Sequence, residues 1–405
     1  MKKRAYGNAR TEDLWDALSE ASNVPVRENM DLWIKHMGYP VLTVSEEVDG
    51  IGIEQSRFLS SGKNSIFIIG AHNSGDATEA EQRLWWVPLG LKTEKISDTA
   101  HSVKVLEKKK HVDIRPLDLS FYIVNDSASG VYRVNYPASR LETLGKQIAS
   151  GHSLLNASSR ISLLSDATAL AISGEGSTTR FLALAEKFTE ESNYFVWDEL
   201  LTQLSQLQSC WYQQSETVMN GLRAFSMSLV SKKYSELGWE AKPGEDYLTS
   251  QLRPLLIKEA DFAKIPGYFT LTFTLTDFGR VKEEATLRFK SWRSGDQAAL
   301  PPYLRRVVFG VVLGKEDASL EDYDAVLKSR LTSQSADGKE IALASIGDVT
   351  NPDLVKRTIE VILSDQIPAQ DIHNPFMSLA ANKKTRDQLW EVIKENWRYF
   401  PLGQS

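Results

Sequence analysis

The sequence has 405 residues, 42% of them hydrophobic and 25% charged, with a formal net charge of −6. These totals describe a globular chain of two or three domains, and the acidic balance argues against nucleic acid as a partner. The single cysteine, Cys210, excludes an intrachain disulfide and fits a reducing compartment; no apolar core follows Lys2-Lys3-Arg4 to make a secretory signal, and no run of about 18 apolar residues offers a membrane span.

Thr11 is expected to cap a first helix, with Glu12 and Asp13 at its positive end and Leu14, Trp15 and Leu18 on one face. A second helix over residues 26–37 carries the stripe Met30, Trp33, Ile34 and Met37 and stops at Gly38 and Pro40. Two helices this short need something to pack on. From residue 41 to 136 the period changes to two. Runs at 41–44, 52–59, 85–89, 112–114 and 121–124 are separated by turn residues such as Asp49-Gly50 and Asn125-Asp126. Short strands without intervening helices predict a small antiparallel β-sandwich. Its last strand is Gly130-Val131-Tyr132-Arg133-Val134-Asn135-Tyr136. It sends Val131, Arg133 and Asn135 one way and Tyr132, Val134 and Tyr136 the other, and Pro137 ends it. Lys108-Lys109-Lys110 reads as a solvated hairpin tip.

Beyond residue 140 the helical period returns. Ile161, Leu164, Ala167 and Ala171 lie three or four apart, as do Phe181, Leu184, Ala185 and Phe188, and then Val196, Leu200, Leu201 and Leu204. The alternation resumes at 303–313, 320–331, 338–346, 352–364 and 386–397, without a fixed sequence repeat. Successive helix pairs of this length predict an α-solenoid. One stretch, 268–276, alternates strictly and is predicted as a strand inside the helical array.

Few residues suggest chemistry. None of His36, His72, His101, His111, His152 and His373 is followed by Glu, so there is no H-E-x-x-H, and no two lie at helix-ligand spacing. Ser173-Gly174-Glu175-Gly176-Ser177-Thr178-Thr179 lacks the lysine and spacing of a phosphate loop; Gly174 ending one helix and Ser177 or Thr178 capping the next explains it. Trp85-Trp86 and Trp211-Tyr212 read as core or junction aromatics. Glu190-Glu191, Asp198-Glu199 and Glu321-Asp322 read as solvated helix faces. Asn125-Asp126-Ser127 and Asn156-Ala157-Ser158 match the glycosylation pattern by chance. No catalytic, cofactor-binding or metal residue is assigned.

Tyr6-Gly7-Asn8-Ala9-Arg10-Thr11-Glu12-Asp13-Leu14-Trp15 resembles a signature of the zinc aminopeptidase family, which includes aminopeptidase N, the puromycin-sensitive enzyme and the fungal alanine/arginine aminopeptidases. Met30-Asp31-Leu32-Trp33 through Val44 looks like the next block, Gln55-Ser56-Arg57-Phe58-Leu59 and Leu84 to Leu89 fit its sandwich, and residues 130–136 are similar to its G-[VFY]-Y-R-V-N-Y. Arg160 to Ala167 and Asn193-Tyr194-Phe195-Val196-Trp197 resemble its helical domain, and residues 120–200 look most like the fungal cytosolic enzymes. Lys63 to Gly75 and the stretch near Tyr268 depart from the pattern.

The resemblance implies a mainly helical α+β multidomain fold: residues 1–40 as the last helices of a truncated catalytic domain, 41–137 as the β-sandwich, and 138–405 as a HEAT-like helical-repeat domain, incomplete at its end. The family's substrate-amine loop, its H-E-x-x-H with a downstream glutamate, and its catalytic tyrosine all precede the block that starts here at Tyr6. Zinc is the parent family's cofactor, and none is expected in this chain. The expected role is that of a non-catalytic C-terminal region that shapes or covers a peptide-binding chamber. It would be inactive alone, cytoplasmic, and engaged with peptide substrate only beside a catalytic half, with no nucleic-acid or membrane partner. The alternative is an autonomous helical-repeat scaffold for a peptide or protein partner.

Overall fold

The computed structural model describes residues 6–62, 84–94, 110–151, 154–263 and 280–397. The chain forms two compact units, Met1–Gln203 and Leu204–Ser405. Most of the described residues are helical, with few strands.

The first unit opens with α1 (Thr11–Ser22) and α2 (Val26–Lys35), which pack on each other. Thr11 is not the cap that its position suggests. It is the first helical residue, and Asp13 reaches back to accept the Arg10 N–H at 2.8 Å. A carboxylate in the first turn thus satisfies an amide that would otherwise be unpaired. Neither helix buries a residue fully, yet the Trp33 ring lies 6.3 Å from Trp85, so this pair does rest on the β region.

A four-stranded sheet follows in the order β4-β2-β1-β6, from β1 (Pro40–Glu47), β2 (Gly50–Arg57), β4 (His111–Ile114) and β6 (Arg133–Asn135). β1 and β2 form a hairpin in register Glu47↔Gly50; Leu42, Val44, Ile51 and Ile53 are buried on one face and Val41 on the other. A separate antiparallel pair joins β3 (Lys92–Thr93) to β5 (Tyr122–Ile123). Two expectations are corrected. The sheet is not wholly antiparallel, because β6 runs parallel to β1, with Leu42 opposite Val134; the long return between them makes the parallel pairing possible. Residues 85–89 do not form a ladder strand. Only Pro88 takes part in an isolated bridge there, and the buried Gln55 side chain substitutes for a ladder, accepting the Trp85 N–H at 2.9 Å and donating to the Trp85 carbonyl at 3.1 Å. The alternation at 130–136 holds: Tyr132, Val134 and Tyr136 are buried and Val131 is exposed.

Helices α3 (Ala138–Ala149), α4 (Ala157–Ile172) and α5 (Thr178–Ala185) complete the unit, with α4 packed against β6 and α5. Val41 and Phe58 of the sheet form one buried cluster with Leu170 of α4. The predicted stripe on α4 is too narrow: Leu163, Leu164, Asp166, Ala167, Thr168 and Leu170 are all buried, since the helix has neighbours on several sides. The boundary between the units falls within α6 (Tyr194–Cys210).

The second unit contains α7 (Glu216–Leu237), α8 (Tyr247–Ala263), α9 (Val281–Arg293), α10 (Pro302–Leu313), α11 (Leu320–Thr332), α12 (Ala336–Ile346), α13 (Pro352–Ile362), α14 (His373–Ala381) and α15 (Arg386–Glu395). α7 pairs with α8, α9 with α10 and α11 with α12, while α8, α10, α12 and α14 pack side by side in succession. Phe289, Trp292 and Phe309 join α9 to α10, with Trp292 and Phe309 centroids 4.9 Å apart. The stretch 268–276, Lys63 to Gly75, Lys108 and Lys109 lie outside the described residues; Lys110 is exposed.

Candidate functional site

Arg133 stands where the sheet meets α4. The strand pattern points its side chain away from the face that buries Tyr132 and Val134, and other residues there cover it. Its Nε donates to Tyr39 Oη at 3.0 Å, and its Nη1 donates to Ser165 Oγ at 3.3 Å and Asp166 Oδ1 at 3.1 Å. The guanidinium also lies 5.2 Å from the Phe58 ring centroid. The Asp166 Oδ2 accepts the Val134 N–H at 2.9 Å, so one carboxylate ties a strand amide and a cation to the helix. Burial pushes the Asp166 carboxyl up to about 7, against the opposing pull of Val134 and Arg133. The cavity beside it, lined by Asn135, Asp166 and Arg180, holds about 10 Å³. That is room for no more than about one water, so it is not a ligand pocket.

A second polar cluster precedes β6. Asn125, with φ 63°, accepts the Gly130 N–H at 2.8 Å and donates to the Gly130 and Tyr132 carbonyls. Tyr132 Oη donates to the Leu89 carbonyl at 2.6 Å, and Tyr136 Oη accepts the Val124 N–H at 2.8 Å while lying 3.0 Å from the Val124 carbonyl. Burial raises both tyrosines far above their ordinary range, so they act as neutral hydrogen-bonding groups. Asp126 accepts from Ser159 Oγ at 2.9 Å, and Asn156 both caps α4 and donates to Ser127 Oγ at 2.6 Å. Asn125 is buried, and Asn156 is engaged in its cap. Arg140 donates to Glu46 at 2.6 Å and to the Leu119 carbonyl at 2.7 Å, and it covers the Tyr122 ring at 3.9 Å.

The other flagged residues serve the fold. Gly174, with φ +76°, follows α4, so a helix and not a strand precedes the glycine-rich loop. Ser177 takes the cap position of α5, but its hydroxyl pairs with Thr179 Oγ1 at 2.9 Å instead of a backbone amide. Trp85 is fully buried, and Tyr212 lies under the Arg386 guanidinium at 4.6 Å. Glu191 corrects the reading of a solvated acidic pair. It is buried, receives both Arg160 Nε at 2.8 Å and Nη2 at 3.2 Å, and accepts the Ser192 and Asn193 amides. Arg293 bridges Glu321 and Asp322.

The buried ion pair Arg253–Glu245 was missed in the sequence. Arg253 is fully buried, donates to Glu245 through Nη1 and Nη2 at 2.8 Å each, and satisfies the Leu237, Gly238 and Glu240 carbonyls. Its hydrogen bonds hold the Glu245 carboxyl down at about 2. Glu259, buried between Gln208 and Ser226, is pushed up by desolvation. The signal available for these groups was a charged residue inside an apolar stripe: Arg253 follows Leu252, and Asp166 sits between Leu163 and Leu170.

A zinc ion finds no ligand set among the described residues. Among the described residues no three His, Cys, Asp or Glu side chains converge. His111 and Asp113 face each other at 3.1 Å, but both are exposed and no third donor joins them. His373 Nδ1 lies 2.8 Å from the Gln370 carbonyl, and Cys210 is exposed and free. His72, His101 and His152 lie outside the described residues. Among the described residues no helix is long and apolar enough to cross a membrane. The polar groups above position backbone and pair charges; they do not set an acid and a base across a cleft.

Residues 121–401 match the model of the ERAP1-like C-terminal domain family. Aminopeptidase 2, mitochondrial, of Saccharomyces cerevisiae is 32% identical over 98% of this chain and 38% of its own length. The alanine/arginine aminopeptidase of the same yeast is 29% identical over 98% of this chain and 42% of its own length. Aminopeptidase M1 of Arabidopsis thaliana is 25% identical over 98% of this chain and 43% of its own length. The chain therefore spans about two fifths of the length of the relatives it matches, and the match is to their C-terminal part. By that family match, the chain belongs to the ERAP1-like C-terminal domain family, as found in the C-terminal part of aminopeptidases.

Proposed function

We propose that this chain acts as the non-catalytic C-terminal region of a zinc-dependent aminopeptidase, shaping or covering the chamber in which peptides lose N-terminal residues. The observation that carries this reading is the alignment of 98% of the chain with the C-terminal 38–43% of aminopeptidases. The family resemblance puts the residues that would hold zinc and activate water in the part of the relatives outside that alignment. Successive packing of α8, α10, α12 and α14 supports a helical-repeat domain, and the two small sheets support a sandwich. The division into 1–40, 41–137 and 138–405 and a cytoplasmic location belong to the same proposal.

The test uses the purified chain alone and mixed with the remaining N-terminal portion of the yeast alanine/arginine aminopeptidase. Release of alanine and arginine from chromogenic amides is expected in the mixture and not from the chain with added zinc. Zinc-dependent release by the chain alone overturns the proposal. Failure of the two parts to associate favours the autonomous scaffold.

A further inference from the structure

One face of the second unit carries positive charge that the fold does not use. Lys282, Thr286 and Lys290 follow one another at i, i+4 and i+8 on α9, and Lys315, just beyond α10, faces the middle of that row. These residues line an open hollow of about 340 Å³, together with Glu283 and Leu287. The Lys315 ammonium donates to Thr286 Oγ1, which in turn donates to the Lys282 carbonyl at 2.5 Å. The hydroxyl therefore fixes Lys315 at the centre of the hollow and leaves its other donors unspent. Lys282 and Lys290 flank it by one helical turn each, about 6 Å along the axis. No ion pair joins Lys282, Lys290 or Lys315 to a described carboxylate. The contrast with the neighbouring Arg288 and Arg293 is informative: Arg288 pairs with Glu240 and Glu284, and Arg293 pairs with Glu321 and Asp322. On this helix the arginines are neutralised by carboxylates and the lysines are not.

We propose that this hollow is a binding site for an acidic peptide segment, taking carboxylate side chains between Lys282, Lys315 and Lys290 and an apolar side chain on Leu287. The spacing of the cations suits successive acidic residues of an extended strand, which repeat on one side about every 7 Å. Leu287, in the lining, is 62% exposed, which gives an apolar contact that a purely ionic ligand would leave wet. The hollow has no aromatic residue on which a nucleic-acid base could stack. Glu283 at the rim, and the net charge of −6, disfavour a long uniform polyanion. This inference goes beyond the proposed role in an aminopeptidase and stands without a catalytic half.

The test is fluorescence anisotropy with the full chain and a labelled peptide that alternates Glu with Leu, at low and at physiological salt. The same peptide with Gln in place of Glu should bind at least about tenfold more weakly, and salt should weaken the Glu peptide as the Debye length shortens to about 8 Å. The double variant Lys282→Gln/Lys290→Gln should lose about tenfold in affinity, the effect of removing two exposed charge pairs. Lys315→Gln, which removes one such pair, should lose about threefold. The charge-matched control Lys339→Gln/Lys356→Gln, at exposed lysines elsewhere in the unit, should bind as the parent. Equal binding by the parent and the hollow variants overturns the proposal, as does equal loss in the control. Displacement of the peptide by inorganic polyphosphate or single-stranded DNA at lower concentration than by unlabelled peptide also overturns it. Aminopeptidase activity is not the readout, so this result is separable from the outcome of the complementation experiment.

Discussion

Asp166 lies on a face of α4 that otherwise buries Leu163, Ala167 and Leu170, and it answers the cation of Arg133 and the amide of Val134 at once. Its carboxyl is pushed up to about 7 by burial, whereas an unfolded aspartate titrates near 3.9. Between these values the folded chain holds a proton that the unfolded chain has released. Stability from this residue is therefore full at low pH and is lost as pH rises through about 7. Denaturant unfolding of the parent at pH 5.5 and pH 8 should show about 2 kcal/mol from this group, and Asp166→Asn should flatten that difference. An unchanged pH profile in the variant would exclude Asp166 as the source.

The opposite case is Glu245, held at about 2 by the buried Arg253. Its stabilisation is present above the unfolded carboxylate value and fades as pH falls towards 2. Glu245→Gln leaves a buried cation without its counter-charge and should cost about 3–5 kcal/mol. Glu245→Leu combined with Arg253→Leu should cost less than that single change, as a double-mutant cycle in urea would read. Neither pair was legible in the sequence, because ion pairing depends on which helices meet. An acidic residue within an apolar stripe marked Asp166 as unusual, but the pattern could not name Arg133 as its partner 33 positions away.

At the scale of elements, periodicity recovered most helices, and the alternation at 130–136 put Tyr132, Val134 and Tyr136 on one face, which the structure buries. It did not recover strand direction or the absence of a ladder at 85–89, since both depend on which backbone segments meet where long connections return. The turn into β6 shows how tight that return is. A Cβ on Gly130 would come within 2.3 Å of Tyr132 Cε1. The ring it would strike is buried, and its hydroxyl is fixed on Leu89, so it cannot swing away freely. Gly130→Ala should destabilise the first unit by about 1–3 kcal/mol. Gly221 is the counterpart. It lies inside α7 with nothing within 4 Å of the position of a Cβ, so Gly221→Ala should raise stability by about 0.5–1 kcal/mol through lower backbone entropy in the unfolded chain. Opposite shifts in the urea midpoints of the two variants are the expected result; a destabilised Gly221→Ala would contradict the open environment of that site.

At the scale of the molecule, α1 and α2 bring Trp33 onto Trp85 yet keep Leu14, Leu18 and Ile34 substantially exposed, and Met37, just beyond α2, is exposed as well. Apolar residues gathered on a helix pair that buries none of its own side chains fully are better explained by a partner than by the core of this unit. In the proposed role that partner is the N-terminal portion of an aminopeptidase, and the helical stripe that carries these residues was already visible in the sequence as a face without a domain to cover it. Ile34→Ser combined with Met37→Ser removes two exposed apolar groups, so it should change the stability of the isolated chain by less than about 1 kcal/mol. The same variant should lose most of its association with the N-terminal portion in a sedimentation or pull-down measurement, together with the restored peptidase activity. Far-ultraviolet circular dichroism separates a lost interface from a lost fold. A variant that remains folded and associates as strongly as the parent would place the contact elsewhere on the chain and remove α1 and α2 from the proposed interface.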